Sequence, residues 1–173
     1  MFSNNRWNTW LATAVSKVAV IVFCLVMFIP IAQAETPFDI TDCGSGTITM
    51  VSVSKELTVF GFDLKGISRS NHENKVFDNC TFHAVGVMRI MAGKRTETAY
   101  FKIMDPDGNI IVGEITRVET EESTWKFLQG TGKWKGITGG GKGRTIAGGK
   151  PITVGTFQAC FRHTGTFELP NRH

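Results

Sequence analysis

"GTGKWKGITGGGKGRTIAGGK" (residues 130–150) holds nine of the chain's 19 glycines, and how it is read decides the fold. Gly136, Gly141 and Lys142 fit the spacing of a phosphate-binding loop, G-x-x-x-x-G-K. However, Gly143 stands where the magnesium-binding hydroxyl of Ser or Thr belongs. Such a loop works because it joins a strand to a helix whose N-terminus faces the phosphates. After Lys142, three glycines and Pro151 fall within nine residues, a composition that opposes a helix. Glycines cluster in this way where a strand bends, bulges or lets another backbone approach closely. Trp134 and Ile137 are the large apolar groups of residues 130–141. They are placed to plug one end of a barrel while the glycines turn the chain.

Outward from this stretch the chain reads as successive strands. The runs are 46–54, 56–68, 80–91, 98–104, 109–119, 123–132, a strand near 141–147, and 156–169. Val, Ile, Phe, Thr and Trp dominate them and suit a pleated, half-buried surface. No stretch of eleven or more residues carries a helical period. "DPDGN" (105–109) is a hairpin turn between two apolar runs. It lacks one acidic position of a calcium loop, because Gly108 arrives too early, and no metal is expected there. The polar stretch 70–79 is a connecting loop. Eight strands at this spacing predict an all-β, eight-stranded antiparallel calycin-like barrel, with a two-sheet β-sandwich as the alternative. Closure would remove the exposed edges and leave room for side chains or one small ligand.

"GTGKWKGITGGG" (130–141) resembles the G-x-G-x-[FW]-x-G-[IAV]-x-G-x-G signature of the allene oxide cyclase-like and dirigent-like barrels. As in those families, it stands late in the chain, before the last two strands. The resemblance implies an eight-stranded calycin-like barrel around an apolar cavity, as a monomer or a homotrimer. Gly130, Gly132, Trp134, Gly136, Gly139 and Gly141 are its signature positions, and no catalytic motif of either family matches here.

The N-terminus predicts export. Arg6 and Lys17 precede an apolar run (18–32), followed by Ala32-Gln33-Ala34 and Glu35, the order of a cleaved signal peptide. The run falls short of the roughly 20 residues that span a bilayer. The expected organisation is a signal peptide (1–34), an N-terminal extension (35–43), one barrel domain (44–169) and a tail (170–173). The protein would then lie in the periplasm or outside the cell, with no membrane attachment after cleavage. Beyond residue 34, 17 Lys and Arg face 15 Asp and Glu. That near balance gives no footprint for nucleic acid. Cys43, Cys80 and Cys160 predict one disulfide and one free thiol in an oxidising compartment, with the pairing left open.

Alternation sorts the last strand. Phe157, Ala159, Phe161, His163, Gly165 and Phe167 share one face, predicted to point inward. His163 would then sit in apolar surroundings with a lowered pKa, as a base, as a ligand contact, or simply hydrogen-bonded to a neighbouring strand. Glu114 shares a face with Ile110, Val112 and Val118. It is a second candidate for acid–base work, unless it pairs with a cross-strand Lys or Arg. His83 points outward, and His72 lies in the polar loop. No His/Cys spacing supplies a metal site, no cofactor is expected, and no nucleophile motif is present. The expected function is binding of a small apolar ligand lined by Phe60, Phe62, Trp125, Phe157, Phe161 and Phe167. The alternatives are a cyclase or isomerase using the same cavity, and an interaction module whose barrel is filled by its own side chains.

Overall fold

A computed structural model describes residues 34–51, 54, 56–119 and 121–170. The predicted signal peptide up to residue 33 and the last three residues of the predicted tail lie outside these. The described chain runs β1 (Thr36–Met50), β2 (Leu57–Ser70), β3 (Cys80–Met91), β4 (Lys94–Met104), β5 (Ile110–Val118), β6 (Ser123–Gly130), β7 (Thr138–Gly149) and β8 (Thr156–Glu168). One 3₁₀ turn, Gly132–Trp134, precedes β7. Each strand pairs antiparallel with the next, and β8 returns to β1 to close the barrel. Closure excludes the sandwich.

Period-two burial explains why these segments are strands. In β4, Glu97, Ala99, Phe101 and Ile103 are buried, while Thr98, Tyr100, Lys102 and Met104 face out. One expected boundary is corrected. The stretch assigned to an N-terminal extension is, from Thr36, the first half of β1, paired with β8 from Thr36↔Phe167 onward. Phe38, Ile40 and Asp42 alternate inward there and Thr41 and Cys43 outward, a pattern as regular as that of any later strand.

Two devices hold the β1–β8 seam. Cys43 and Cys160 are register partners joined by a disulfide, which decides the pairing, and Cys80 is left as a buried free thiol. The bridge closes a sequence separation of 117 residues. In the chain-entropy account, a loop of that size stabilises the fold by about 4–5 kcal/mol. Near it, the Asp39 carboxylate accepts from Arg162 Nε at 3.0 Å.

The glycine stretch forms β7 and the turn before it. Gly139 has φ 107°, a conformation that L side chains avoid. A Cβ there would lie 2.4 Å from the Thr166 carbonyl oxygen of β8. Both constraints select glycine where the chain swings back onto the barrel.

Candidate functional site: an aromatic chamber

The two ends of the barrel are built differently. At the end carrying the 105–109 turn, Phe38, Phe77, Phe127, Trp134 and Phe167 pack into a solid plug. Ring centroids are 5.2 Å apart for Phe77–Trp134, 5.4 Å for Phe38–Phe77 and 5.6 Å for Phe77–Phe167. Phe77 enters from the β2–β3 loop with a positive φ of 60°, a strained position held by its burial. Beneath the plug, Asp105 accepts from Trp134 Nε1 at 2.9 Å, from Lys133 Nζ at 2.9 Å and from the Asn109 backbone at 2.8 Å. Burial alone would raise its pKa, but these donors hold it well below the usual carboxylate range.

Behind the plug the barrel is open. A cavity of about 280 Å³ runs toward the opposite end, where the exposed Arg95 and Thr145 line its rim. That is close to the lower end of ligand pockets, about 300–1,000 Å³. Phe60, Phe62, Phe82, Phe101, Trp125, Phe157 and Phe161 supply its aromatic lining. Five of the six predicted lining residues, Phe60, Phe62, Trp125, Phe157 and Phe161, therefore do line the cavity. Phe167 does not. It stands nearer the end of β8 than the chamber reaches and belongs to the plug.

Two polar groups interrupt the apolar wall. In the first, Glu97 and Arg117 are register partners on β4 and β5, with Arg117 Nε donating to Glu97 Oε2 at 3.1 Å. Arg117 Nη1 also donates to the Glu121 carbonyl. Both side chains are buried, and their charges cancel.

The second group comprises Asp42 on β1, His163 on β8 and the indole of Trp125 on β6, with Ser68 on β2 beside Asp42 but outside the lining. Asp42 faces Ser68 and Phe161 in register, and His163 faces Gly143 of β7. Glycine is required at that last position, since a Cβ on Gly143 would lie 2.2 Å from His163 Nδ1. The imidazole lies against Trp125 with centroids 3.7 Å apart and the rings tilted by 37°, and its Nε2 lies 3.5 Å from Asp42 Oδ2. Asp42 is 2% exposed and His163 5%. Asp42 Oδ1, Ser68 Oγ, Trp125 Nε1 and His163 Nδ1 are all buried without a hydrogen-bond partner in the protein. Burial pushes the Asp42 carboxyl up to about 7, offset only in part by Ser68. It pushes the His163 imidazole down to about 3. Near neutral pH the pair is therefore an uncharged imidazole beside a carboxyl close to half-ionised. It can give or take a proton and can hydrogen-bond in either sense.

His163 thus faces inward as predicted, while for Glu114 the acid–base candidacy is corrected and the alternative, a cross-strand pair, is what forms. Glu114 lies on the outside of the barrel, 3.8 Å from Lys126 across the β5–β6 pair. Both faces of β5 are rich in Ile and Val, and the buried face is the one bearing Ile111, Gly113, Ile115 and Arg117. A buried arginine made that face look like the exterior. Asp42 went unnoticed because its segment was assigned to an extension. The alternation Phe38-x-Ile40-x-Asp42 was the signal that could have found it.

These features define a closed antiparallel β-barrel with an internal aromatic chamber. Its fold is similar to those of two pterocarpan synthase dirigent proteins, from the family group that the glycine signature resembles. With GePTS1 the identity is 12% and the TM-score 0.45, over 79% of this chain and 90% of that one. With PsPTS1 they are 12% and 0.49, over 84% and 100%. Likeness at that identity concerns the fold alone. No family model matches the chain, and no curated protein does.

Proposed function

We propose that this protein is an exported barrel that binds one small, largely apolar molecule in its chamber. The observation that carries the reading is the cavity of about 280 Å³ inside a closed barrel, walled by Phe and Trp and plugged at one end. A barrel serving only as an interaction module would gain by filling this space, because a void forfeits packing energy. The seam disulfide between Cys43 and Cys160 fits export to an oxidising compartment, periplasmic or extracellular.

Calorimetric titration with phenylbutanol tests the reading. The expected result is saturable one-to-one binding with a negative heat-capacity change, the mark of apolar burial. Ala159 lines the chamber, so Ala159→Phe should abolish binding while the near-UV dichroism of the folded protein persists. Equal binding by that variant, or no saturable binding by the wild type, would overturn it.

A second reading is favoured by Asp42 and His163. A protonatable carboxyl 3.5 Å from a neutral imidazole, inside an aromatic-walled chamber, is equipped for a proton-transfer step of the isomerase or cyclase kind. It needs the same cavity, and Asp42→Asn would then abolish turnover while leaving apolar binding in place.

A further inference from the structure

The charges around the chamber are unequally compensated. Glu97 and Arg117 neutralise each other at 3.1 Å, and Arg95 at the rim faces Glu121 at 3.8 Å. His163, with its imidazole held neutral by burial, offers Asp42 no countercharge. Among the described residues that line the chamber, Asp42 is therefore the ionisable group with no opposite charge set against it. Its Oδ1 is buried and has no hydrogen-bond partner. A carboxylate left in that condition is costly unless something supplies positive charge or a proton.

We infer that the chamber selects an amphipathic amine, with its apolar body among the aromatic rings and its protonated nitrogen donating to Asp42 Oδ1. This rests on the chamber being a binding site at all, as proposed above. Two independent features favour a cation. The carboxylate supplies the complementary charge in a low-dielectric setting, and aromatic faces attract organic ammonium groups through their quadrupoles. An anionic head group would meet Asp42 with only Arg95, at the far rim, to offset it. A neutral hydroxyl would be served best by the protonated carboxyl, and that gives it the opposite dependence on pH.

The surroundings of Asp42 make this dependence readable. Ser68 on β2 does not titrate, and burial holds the Cys80 thiol on β3 up to about 12 and His163 on β8 down to about 3. Glu97 of β4 and Arg117 of β5 are tied to each other. Asp42, pushed up to about 7, is the group left to change charge between pH 6 and 8. Across that window the carboxyl goes from mostly protonated to mostly ionised, while an alkylamine stays protonated. Amine affinity should therefore climb about tenfold from pH 6 to 8.

The experiment is calorimetric titration of the wild-type protein with phenylbutylamine, phenylbutanol and phenylbutyrate at pH 6 and pH 8. The expected result is that the amine binds tightest at pH 8, gains about tenfold over pH 6, and exceeds both analogues. In Asp42→Asn the amine should fall to the level of the alcohol and lose its pH dependence. Continued binding of the alcohol shows that the variant is folded. An amine no tighter than the alcohol at pH 8, an affinity that falls as pH rises, or tightest binding of the butyrate would overturn the inference. If the alcohol binds and the amine does not, the chamber remains a binding site and this inference alone fails. If none of the three binds, both fail.

Discussion

Asp105 in the plug and Asp42 in the chamber are both buried aspartates of one small barrel, yet they are treated in opposite ways. Asp105 is surrounded by donors: the Trp134 indole, the Lys133 ammonium and the Asn109 backbone. Asp42 has a neutral imidazole at 3.5 Å from one oxygen, no hydrogen bond to the other, and only the Ser68 hydroxyl nearby to favour its charge. The first carboxyl is driven down and the second up to about 7. The first arrangement is what stability requires of a buried carboxylate, since every acceptor position is used. The second sacrifices stability to keep an under-satisfied carboxyl in the lining of a cavity, which is the pattern of a site. Burial alone therefore says little about what a polar residue is for, and the count of satisfied partners says much more.

The largest effect should come from the packing of the two regions. Trp134→Ala removes a buried plug ring that packs on Phe77 and Phe167, together with Asp105's indole donor. It should cost about 3–5 kcal/mol in chemical denaturation. Phe157→Ala, in the wall of the existing cavity, removes a half-buried ring and should cost about 1–2 kcal/mol. Similar costs for the two would break the distinction between a filled end and an open one.

Smaller, but opposite in sign, are the two aspartates themselves. Asp105→Asn loses a charged acceptor that several donors share and should destabilise by about 2 kcal/mol. Asp42→Asn removes an uncompensated charge and should stabilise by about 1 kcal/mol at pH 8. The pH profile sharpens the contrast. Asp42 ionises near 3.8 when unfolded and near 7 when folded, so its contribution is full below about pH 4 and is lost as pH rises toward 7. His163 moves from 6.5 to about 3, so its contribution is full above about 6.5 and is lost as pH falls toward 3. The two nearly cancel in the wild type, which should show a flat stability profile between about pH 4 and 6.5. In Asp42→Asn the histidine acts alone, and stability should rise with pH across that range. Denaturant midpoints measured at several pH values would decide it, and a flat profile in the variant would count against a buried, neutral His163.

Most of the barrel was legible because β-strands write their burial into the sequence with period two. The face of β8 from Phe157 to His163 could be read directly, and Trp134 and Ile137 announced the plug because they are the large apolar residues in a glycine field. The polar half of the site was harder to see. Asp42 lies on the first strand, in a segment just after the predicted signal peptide that invited reading it as a loose end. Its pairing with Ser68 and His163 depends on register across two seams, which sequence does not encode locally. Phe77 was hidden for a different reason, since it is a single aromatic in a polar loop and turns inward only in the folded loop, where its burial holds a positive φ. The pairing of Cys43 with Cys160 required knowing that the first strand meets the last.

The smallest effect should come from Glu114, whose misreading makes it the natural control. The face shared with Ile110, Val112 and Val118 is the outer one, and the carboxylate lies 3.8 Å from a largely exposed Lys126. Surface pairs of this kind contribute about 0–1 kcal/mol, because water screens them and ordering two side chains costs entropy. Glu114→Gln should therefore move the denaturation midpoint by less than half the shift of Asp105→Asn and leave phenylbutanol binding unchanged at pH 6 and pH 8. A change in binding would mean that β5 presents its other face to the chamber. That would displace Arg117 from Glu97 and reverse the assignment of inside and outside on which the contrast between the two aspartates depends.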